Sequence, residues 1–238
     1  MNPKFSVIVP AFNEERYLPR SLGAIRKAEA HWGHSVEIIV GDNLSTDETV
    51  RVAEEFGARV VRVETKCISA VRNQAAATAT GDVLVFNDAD NEMSENMFVE
   101  LEKCMDSGEY IGGGVINAHY DRRSLGINLL QFCIVTNLRI CRVSMFMFYT
   151  SADVFKELGG FNETLLSNED MEFALRMKKL GKAQGLEFSN MKAAHVVLSA
   201  RKFDEYGDWA VLRHPILFAK AFFNNPETAY ELWYRPRR

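Results

Sequence analysis

Two aspartates, Asp88 and Asp90, stand one residue apart directly after the apolar run from Val83 to Phe86. Alternate side chains of an extended chain share a face, so both carboxylates can point together from the end of a strand. Carboxylate oxygens suit hard cations such as Mg²⁺ and Mn²⁺, and a cation held in this way can in turn hold a diphosphate. A plain surface turn can also contain such a pair, so the neighbouring segments decide between the two interpretations.

The first part of the chain alternates between short apolar runs and amphipathic stretches, which predicts alternating strands and helices. Helices are predicted to open at Asn13, to begin at a capping box of Ser45 and Glu48, and to run from about Ser69 to Ala79. This alternation implies a mostly parallel sheet with right-handed crossovers. The predicted strands cover 5–10, 36–40, 60–63 and 83–86.

Polar side chains follow three of these four strands at the point where each strand ends. In parallel sheets of this kind, ligands bind beyond the carboxyl ends of the strands. The sequence therefore predicts that three loops converge on one crevice. The residues in question are Asn13 and Glu14 after the first strand, Asp42 and Asn43 after the second, and Asp88 and Asp90 after the fourth.

The second half of the chain is less regular. Ser94 is predicted to cap a helix, and Gly112 to Gly114 form a glycine-rich strand or bend. A helix is predicted from Asn168 to about Leu180, a strand from Lys192 to Ser199 and a helix from Asp204 to Phe223. No internal repeat, low-complexity tract or linker is visible in the sequence, which indicates one domain.

Bulk composition describes an ordinary globular protein: 238 residues, 47% hydrophobic, 25% charged, with a formal net charge of -4. That charge gives no general reason to expect nucleic-acid binding. Because no pair of cysteines has Cys-x-x-Cys spacing, all four are expected to be reduced, buried thiols of a cytosolic protein. Because the sequence shows no signal peptide and no transmembrane run, we predict a cytoplasmic location; association with the inner face of the membrane is the alternative location. The four cysteines are Cys67, Cys104, Cys133 and Cys141.

Taken in order, the motifs resemble those of the family 2 glycosyltransferases of the GT-A fold, over roughly residues 4–182. The resemblance implies an α/β, Rossmann-like fold: a mostly parallel central sheet flanked by helices, with a mixed second half. It further implies one domain over 1–238. In that domain, residues from about 1–92 bind nucleotide sugar and metal, and residues from about 93–203 form the acceptor and catalytic half. Residues from about 204–238 form a C-terminal helical tail. The motifs are Val7 to Glu15, Val40 to Thr49, Arg72-Asn73, Phe86 to Asp90, Gly159 to Glu163 and Asn168 to Asp170.

The resemblance also implies a role for each motif residue. Asp170 is predicted to be the general base, and Glu169 to position the acceptor or exchange roles with it. The metal, Mn²⁺ or Mg²⁺, is predicted to be bound by Asp90, with Asp88 and the late His195 as further ligands. The predicted nucleotide-sugar contacts are Pro10, Ala11, Asn13, Glu14, Asp42, Arg72 and Asp88.

Each assignment has a structural alternative. The acidic pairs at 14–15 and 169–170 also complement helix dipoles, and Asp42 is otherwise a loop residue that caps the next helix. Arg72 is otherwise a surface arginine, and His195 is equally well a structural residue of a strand. Arg201 and Lys202 form either a basic lid over the diphosphate or a solvated loop.

The segment from Leu125 to Tyr149 contains no acid and is rich in apolar residues. Its favoured interpretation is a half-buried helix plus strand of the acceptor region, and the alternative is a surface that meets lipid or a polyprenyl-phosphate. Ile216 to Phe223 and Trp233 to Arg235 add weight to membrane or dimer contact.

The expected activity is transfer of a sugar from a nucleoside-diphosphate sugar, UDP above other nucleotides, to a hydroxyl group with inversion. The acceptor is a saccharide, a lipid carrier or a small molecule, and homo-oligomerisation stays open. One rival is a non-catalytic nucleotide-sugar-binding or scaffold protein of an envelope polysaccharide assembly complex. A sugar-phosphate nucleotidylyltransferase is a weaker rival, because Pro10 to Glu14 replaces that class's glycine-rich loop.

Overall fold

A seven-stranded sheet lies at the centre of the computed structural model, which describes residues 3–209. The strands are β1 (Phe5–Ala11), β2 (Glu37–Asp42), β3 (Arg59–Arg62), β4 (Val83–Phe86), β5 (Glu92–Met93), β6 (Tyr110–Val115), β7 (Ala118–Tyr120), β8 (Phe148–Ser151), β9 (Glu187–Met191) and β10 (Val196–Leu198). The helices are α1 (Leu18–Trp32), α2 (Thr49–Glu55), α3 (Ile68–Ala76), α4 (Met97–Asp106), α5 (Leu125–Cys141), α6 (Ala152–Leu158), α7 (Glu169–Gln184) and α8 (Arg201–Tyr206).

The central sheet has the order β3-β2-β1-β4-β8-β6-β9, and β5, β10 and β7 form a small second sheet. The pairs β1–β2, β2–β3, β1–β4 and β6–β9 are parallel, whereas β8 runs antiparallel to both of its neighbours. The chain moves outward from β1 to β3 and then returns to the other side of β1 with β4. Such a reversal of strand order marks the position, beyond the carboxyl ends of β1 and β4, where sheets of this kind bind their ligands; we call this position the crevice.

Two apolar layers hold helices on both faces of the central sheet. One buried cluster joins β1, α1 and α4 through Phe5, Leu22 and Phe98. The other joins β4, α6 and α7 and contains Phe86 and Phe173 among five mutually packed phenylalanines. The predicted Rossmann-like α/β class with a mixed second half is therefore confirmed.

Two predicted helix starts in the first half are wrong. Asn13 does not open a helix: it adopts φ 54, and α1 begins only at Leu18. The capping box of Ser45 and Glu48 does not form, because the Ser45 hydroxyl accepts a hydrogen bond from the Asn13 amide and α2 begins at Thr49. In both places, hydrogen bonds between the loops after β1 and β2 hold the residues that the sequence predicts to start a helix.

Three predictions in the second half also need correction. Ser94 does not cap α4, because it exchanges hydrogen bonds with His195 instead. The strand predicted from Lys192 to Ser199 is confined to β10. Of the helix predicted from Asp204 to Phe223, the described helical part belongs to α8, which begins earlier, at Arg201, and ends at Tyr206, before Gly207 with φ 78. The remainder of that prediction and both apolar tail segments fall on residues 210–238, which lie outside the described residues.

The cysteines are free, but they are not all buried as predicted. Cys67 is buried, Cys104 and Cys141 are half-buried, and Cys133 is exposed on α5. Among the helices of residues 3–209, none combines the length and hydrophobicity that a bilayer crossing requires. The apolar segment from Leu125 to Tyr149 forms α5 and the first two residues of β8, so the predicted helix and strand are present, whereas their assignment to an acceptor region stays a prediction.

Candidate active site

The loops after β1 and β2 are joined by hydrogen bonds that fix one wall of the crevice. The Asn13 amide donates to Ser45 Oγ at 3.0 Å, and the Thr46 amide donates to Asn13 Oδ1 at 2.8 Å. The Glu14 amide donates to Thr49 Oγ1 at 2.7 Å. Asn13 tolerates its left-handed conformation because a short amide side chain costs little there.

Asp42 lies buried at the end of β2, next to this wall. Its Oδ1 accepts a hydrogen bond from the Ser45 amide at 3.1 Å; because Ser45 precedes α2, which begins at Thr49, this bond fixes the loop and does not cap the helix. Pro10 and Ala11 pair with Gly41 and Asp42 across the two strands. The predicted contacts of these residues with a nucleotide base or ribose stay predictions.

The Asp88–Asp90 loop is held from beneath by Asn87, which is 1% exposed. Asn87 Nδ2 donates to Ser21 Oγ, to the Asp88 carbonyl and to the Asn91 carbonyl at 3.1, 3.0 and 3.2 Å. Ser21 Oγ in turn donates to the Asp88 carbonyl at 3.2 Å. A buried amide thus fixes the backbone that carries both aspartates, which a plain surface turn would not require.

Arg72 lies at the centre of the site and joins three of the predicted acids. Its Nη2 donates to Asp88 Oδ1 at 2.8 Å, and its Nη1 donates to Asp170 Oδ1 at 2.7 Å and to Glu169 Oε1 at 3.3 Å. The side chain is 5% exposed, and its guanidinium lies 5.0 Å from the centre of the Phe161 ring. The alternative of a surface arginine is therefore excluded.

The charges in this cluster shift one another's protonation. Burial alone would lower the pKa of Arg72, but Asp170, Asp88 and Glu169 outweigh it, so that pKa is raised. Burial raises the pKa of Asp170, Arg72 opposes this effect, and the charges of Glu169 and Asp88 add to it. One guanidinium therefore compensates three carboxylates only in part, which leaves Asp170 able to take up a proton.

Asp90 contacts α8, whereas Asp88 contacts Arg72. Arg201 Nε lies 2.9 Å from Asp90 Oδ2, and the two Nη atoms of Arg201 donate to the Glu14 carboxylate at 2.6 and 2.7 Å. The guanidinium also lies 4.9 Å from the centre of the Tyr17 ring. Arg201 is thus an anchored residue rather than part of the solvated loop that was the alternative.

The donor set around Asp90 suits a hard divalent cation. The pKa of the Asp90 carboxyl is raised, chiefly by burial. The charge of Arg201 lowers this pKa, the charge of Asp88 raises it, and the charge of Lys202 lowers it. A half-buried carboxylate with a second carboxylate beside it is stabilised by added positive charge, and its oxygens are the ligands that Mg²⁺ and Mn²⁺ prefer. Asp90 and Asp88 therefore fit the predicted metal.

His195 lies at the entry to β10, beside His119, with 5.4 Å between the ring centres. Burial lowers the pKa of His119, and His195 and Arg123 lower it further. Within residues 3–209, no three His, Cys, Asp or Glu side chains are grouped closely enough to hold a metal ion. The role of His195 as a metal ligand stays a prediction.

The loop from Gly159 to Glu163 sets the start of α7 and is tied to α3 by Asn73. Asn73 Nδ2 donates to the Phe161 carbonyl and to Glu163 Oε1, both at 2.9 Å, and the Phe161 amide donates to Asn73 Oδ1 at 2.8 Å. Gly160 has φ 71, and a Cβ there would lie 2.5 Å from Asn73 Oδ1. This loop places Phe161 beneath Arg72 and Asp170 at the first turn of α7.

Asn73→Ala should lower the free energy of unfolding by about 1–3 kcal/mol, because it leaves the Phe161 amide and carbonyl without their side-chain partner. Urea unfolding followed by circular dichroism measures this change. Gln74→Ala, on the exposed side of the same helix, is the matched control and should shift the midpoint little. Equal effects of the two substitutions would mean that this loop does not depend on Asn73.

Two residues of the site were not among its predicted ligands or catalytic groups. Tyr120 lies near Asp90, and burial, followed by the Asp90 charge, raises the pKa of its phenol to about 12. Arg201 was considered only as a lid over a diphosphate. Tyr120 and Arg201 are distant in sequence from the residues that they approach, and Arg201 and Glu14 are 187 positions apart. Local residue spacing therefore could not predict these contacts.

Comparison with known proteins agrees with this arrangement. Residues 6–154 match the family model described as Glycosyl transferase family 2. Poly(ribitol-phosphate) beta-N-acetylglucosaminyltransferase TarS of Staphylococcus aureus strain Mu50 is 25% identical over 195 residues, which cover 73% of this chain and 32% of that protein. Uncharacterized glycosyltransferase YfnE of Bacillus subtilis strain 168 is 33% identical over 111 residues, which cover 44% of this chain and 28% of that protein. The chain thus spans about a third or less of the length of these relatives.

Solved structures show the same fold. The crystal structure of S. aureus TarS 1-349 in complex with UDP-GlcNAc matches with a TM-score of 0.64 and 19% identity, covering 96% of this chain and 73% of that one. The mannosyltransferase PcManGT from Pyrobaculum calidifontis, in complex with GDP-Man and Mn²⁺, matches with a TM-score of 0.63 and 17% identity, covering 98% of this chain and 74% of that one. The predicted GT-A fold is confirmed.

Proposed function

This chain belongs to glycosyl transferase family 2, and from that premise we propose that it transfers a sugar from a nucleoside-diphosphate sugar to a hydroxyl acceptor, with inversion. The observation that carries the proposal is the cluster in which Arg72 holds Asp88 and Asp170 at 2.8 and 2.7 Å. That cluster joins a residue of the donor side, after β4, to a residue of the acceptor side, at the start of α7.

Asp170 is the proposed general base. It removes the proton of the acceptor hydroxyl as that oxygen attacks the anomeric carbon, and the bond from this carbon to the diphosphate oxygen breaks on the opposite side. Its raised pKa makes it a stronger base than an ordinary aspartate. Arg72 orients the carboxylate, and Glu169, bound to the same guanidinium, is proposed to position the acceptor.

Asp90 and Asp88 are proposed to hold a divalent cation, Mn²⁺ or Mg²⁺, with His195 as a candidate third ligand. When bound, such a cation supplies positive charge that offsets the charge on the departing nucleoside diphosphate. Arg201, which is 2.9 Å from Asp90, adds fixed positive charge on the same side of the crevice. The donor-binding wall is proposed to consist of Pro10, Ala11, Asn13, Glu14 and Asp42.

UDP is the proposed nucleotide, because TarS is described with UDP-GlcNAc and with UDP. PcManGT is described with GDP-Man, so guanine is the competing base. A hydroxyl of a saccharide, a lipid carrier or a small molecule is the proposed acceptor. We also propose, from membership of the family, that residues 1–238 form a single functional domain and that its donor-binding and metal-binding half covers about 1–92.

A thermal-shift panel tests the donor site. UDP, GDP, CDP and dTDP are each combined with Mn²⁺, Mg²⁺ or EDTA, and UDP is expected to raise the melting temperature only with the metal. A ligand specific for the native state adds about 2.7 kcal/mol of stability at a hundredfold excess over its dissociation constant. Asp90→Ala should abolish the shift while the protein remains folded.

Asp82→Ala is the matched control, because Asp82 is exposed directly before β4, at its opposite end from Asp88 and Asp90. It should keep the full nucleotide shift. No shift with any nucleotide, or the same shift in Asp90→Ala, would contradict the donor site. A shift without turnover of any acceptor or of water would instead favour the non-catalytic binding protein.

A further inference from the structure

Helix α5 presents apolar side chains to solvent. Four of the six large hydrophobic residues that are exposed in residues 3–209 lie on it, and the values reach 80% for Leu125, 69% for Phe132 and 76% for Ile140. A soluble surface normally scatters such residues singly, so their concentration on one helix needs a partner. The other large exposed residue on α5 is Leu129.

These residues form one continuous stripe along α5. At 3.6 residues per turn, positions 125, 129, 132, 133, 136 and 140 fall within an arc of about 100°. The opposite side of the helix is buried through Ile127 and Leu138. We call the exposed arc the apolar stripe: Leu125, Leu129, Phe132, Cys133, Thr136 and Ile140.

A basic cluster adjoins the C-terminal end of the stripe. Five cationic side chains and a single acid, Glu187, line a cavity of about 450 Å³ between the end of α5, α7 and β9. Arg139 belongs to both features, because it lines the cavity and lies on the flank of the stripe in α5. The basic cluster is Arg139, Arg142, Lys178, Lys182 and Lys192.

No acid that the structure describes neutralises the positive charge of this cluster through an ion pair. None of the five side chains forms an ion pair with any residue that the structure describes; Lys178 donates to the Cys141 carbonyl at 2.7 Å. Arginines elsewhere in residues 3–209, such as Arg26, Arg51 and Arg176, are paired with acids. Uncompensated cations in one place attract an anionic partner.

We propose that α5 docks this protein on an anionic lipid bilayer. The apolar stripe would enter the interface between head groups and acyl chains, and the basic cluster would contact the lipid phosphates. A membrane fits both features, because it offers apolar depth and negative charge side by side. A soluble polyanion would use the cluster and leave the stripe exposed, and a second copy of the chain would bring the same positive charge to the contact.

The position of α5 relates this surface to the crevice. Ile127, in the first turn of α5, packs against Ala200 and Phe203 on either side of Arg201, which binds Glu14 and Asp90. A bilayer against α5 would therefore lie beside the elements that hold the crevice. This arrangement suits an acceptor that is presented at a membrane surface.

Vesicle co-sedimentation of the full chain tests the proposal without nucleotide, so its outcome is independent of the proposed reaction. Binding to phosphatidylcholine vesicles that contain phosphatidylglycerol should exceed binding to pure phosphatidylcholine by about tenfold and weaken at about 1 M salt. Phe132→Glu should lower the partition coefficient by about tenfold or more, and Ile140→Glu should act alike. Lys182→Glu should lower it roughly fivefold or more.

A matched control keeps the test specific. Lys27→Glu reverses an exposed lysine on α1, away from the stripe and the basic cluster, and should not change binding by more than about twofold. Equal binding to both kinds of vesicle, or binding unchanged by Phe132→Glu, would overturn the proposal. A dimer seen by light scattering that Phe132→Glu dissociates, without vesicle binding, would assign the stripe to a second copy instead.

Discussion

Asp170→Asn should lower kcat by about 10²–10⁴-fold, because an amide cannot accept the proton of the acceptor hydroxyl. The KM for the donor sugar should change little, since the loops that are proposed to bind the nucleotide lie on the other side of Arg72. The substitution keeps the shape of the side chain and one acceptor oxygen for Arg72. Nucleoside diphosphate released from a UDP-sugar and a hydroxyl acceptor measures the effect.

The pH profile provides a second readout of the same role. Burial raises the pKa of Asp170 to about 8, against the opposing charge of Arg72. A general base works in its ionised form, so kcat/KM should rise with pH toward about 8 and level off above it. In Asp170→Asn this rise should disappear from the residual activity.

Asp153→Asn is the matched control, because Asp153 also lies in the first turn of a helix but is exposed on α6. Its activity and pH profile should equal those of the unmodified protein. A full pH dependence that persists in Asp170→Asn would move the base role to another group, and Glu169, on the same guanidinium, would be tested next.

The first half of the fold was predictable because its signals are local. Apolar runs at 5–10 and 83–86 became β1 and β4, and the polar residues after them meet at the crevice. The capping box at Ser45 failed for the opposite reason: its hydroxyl is used by the Asn13 amide, 32 positions away. A local pattern cannot show that a tertiary partner will compete for the same group.

The centre of the site was predictable as a set of residues but not as an arrangement. Arg72, Asp88 and Asp170 were each identified from a motif, whereas their connection spans 98 positions between Arg72 and Asp170. For α5 the sequence left a core helix and a lipid-facing helix both open, because a run of apolar residues looks the same whether it faces a core or a solvent-accessible surface. Only packing distinguishes Ile127, which is fully buried, from Phe132.

Arg72→Met should lower the free energy of unfolding by about 3–5 kcal/mol above about pH 8, where Asp170 is ionised, because it removes the buried guanidinium that pairs with three carboxylates. The repulsion among Asp88, Glu169 and Asp170 would then be uncompensated. Urea unfolding measures the loss, and donor binding and turnover should fail in the same variant. Arg72→Lys keeps the charge but cannot span the separate acids as a planar guanidinium does, so it should lose less stability and still lose activity.

Arg51→Met is the matched control, since Arg51 also pairs with two acids, Glu48 and Glu55, but is 58% exposed. Solvent screens that network, so the unfolding midpoint should change little. The pH dependence separates charge from packing. Arg72 lowers the pKa of Asp170, so Arg72→Met should raise that pKa further above its value in the unfolded chain; protonation of Asp170 then favours the folded form at low pH, and this contribution disappears as the pH rises. The destabilisation should therefore shrink under acidic conditions and grow toward alkaline pH; a loss independent of pH would mean that Arg72 acts through packing on Phe161 rather than through the three acids.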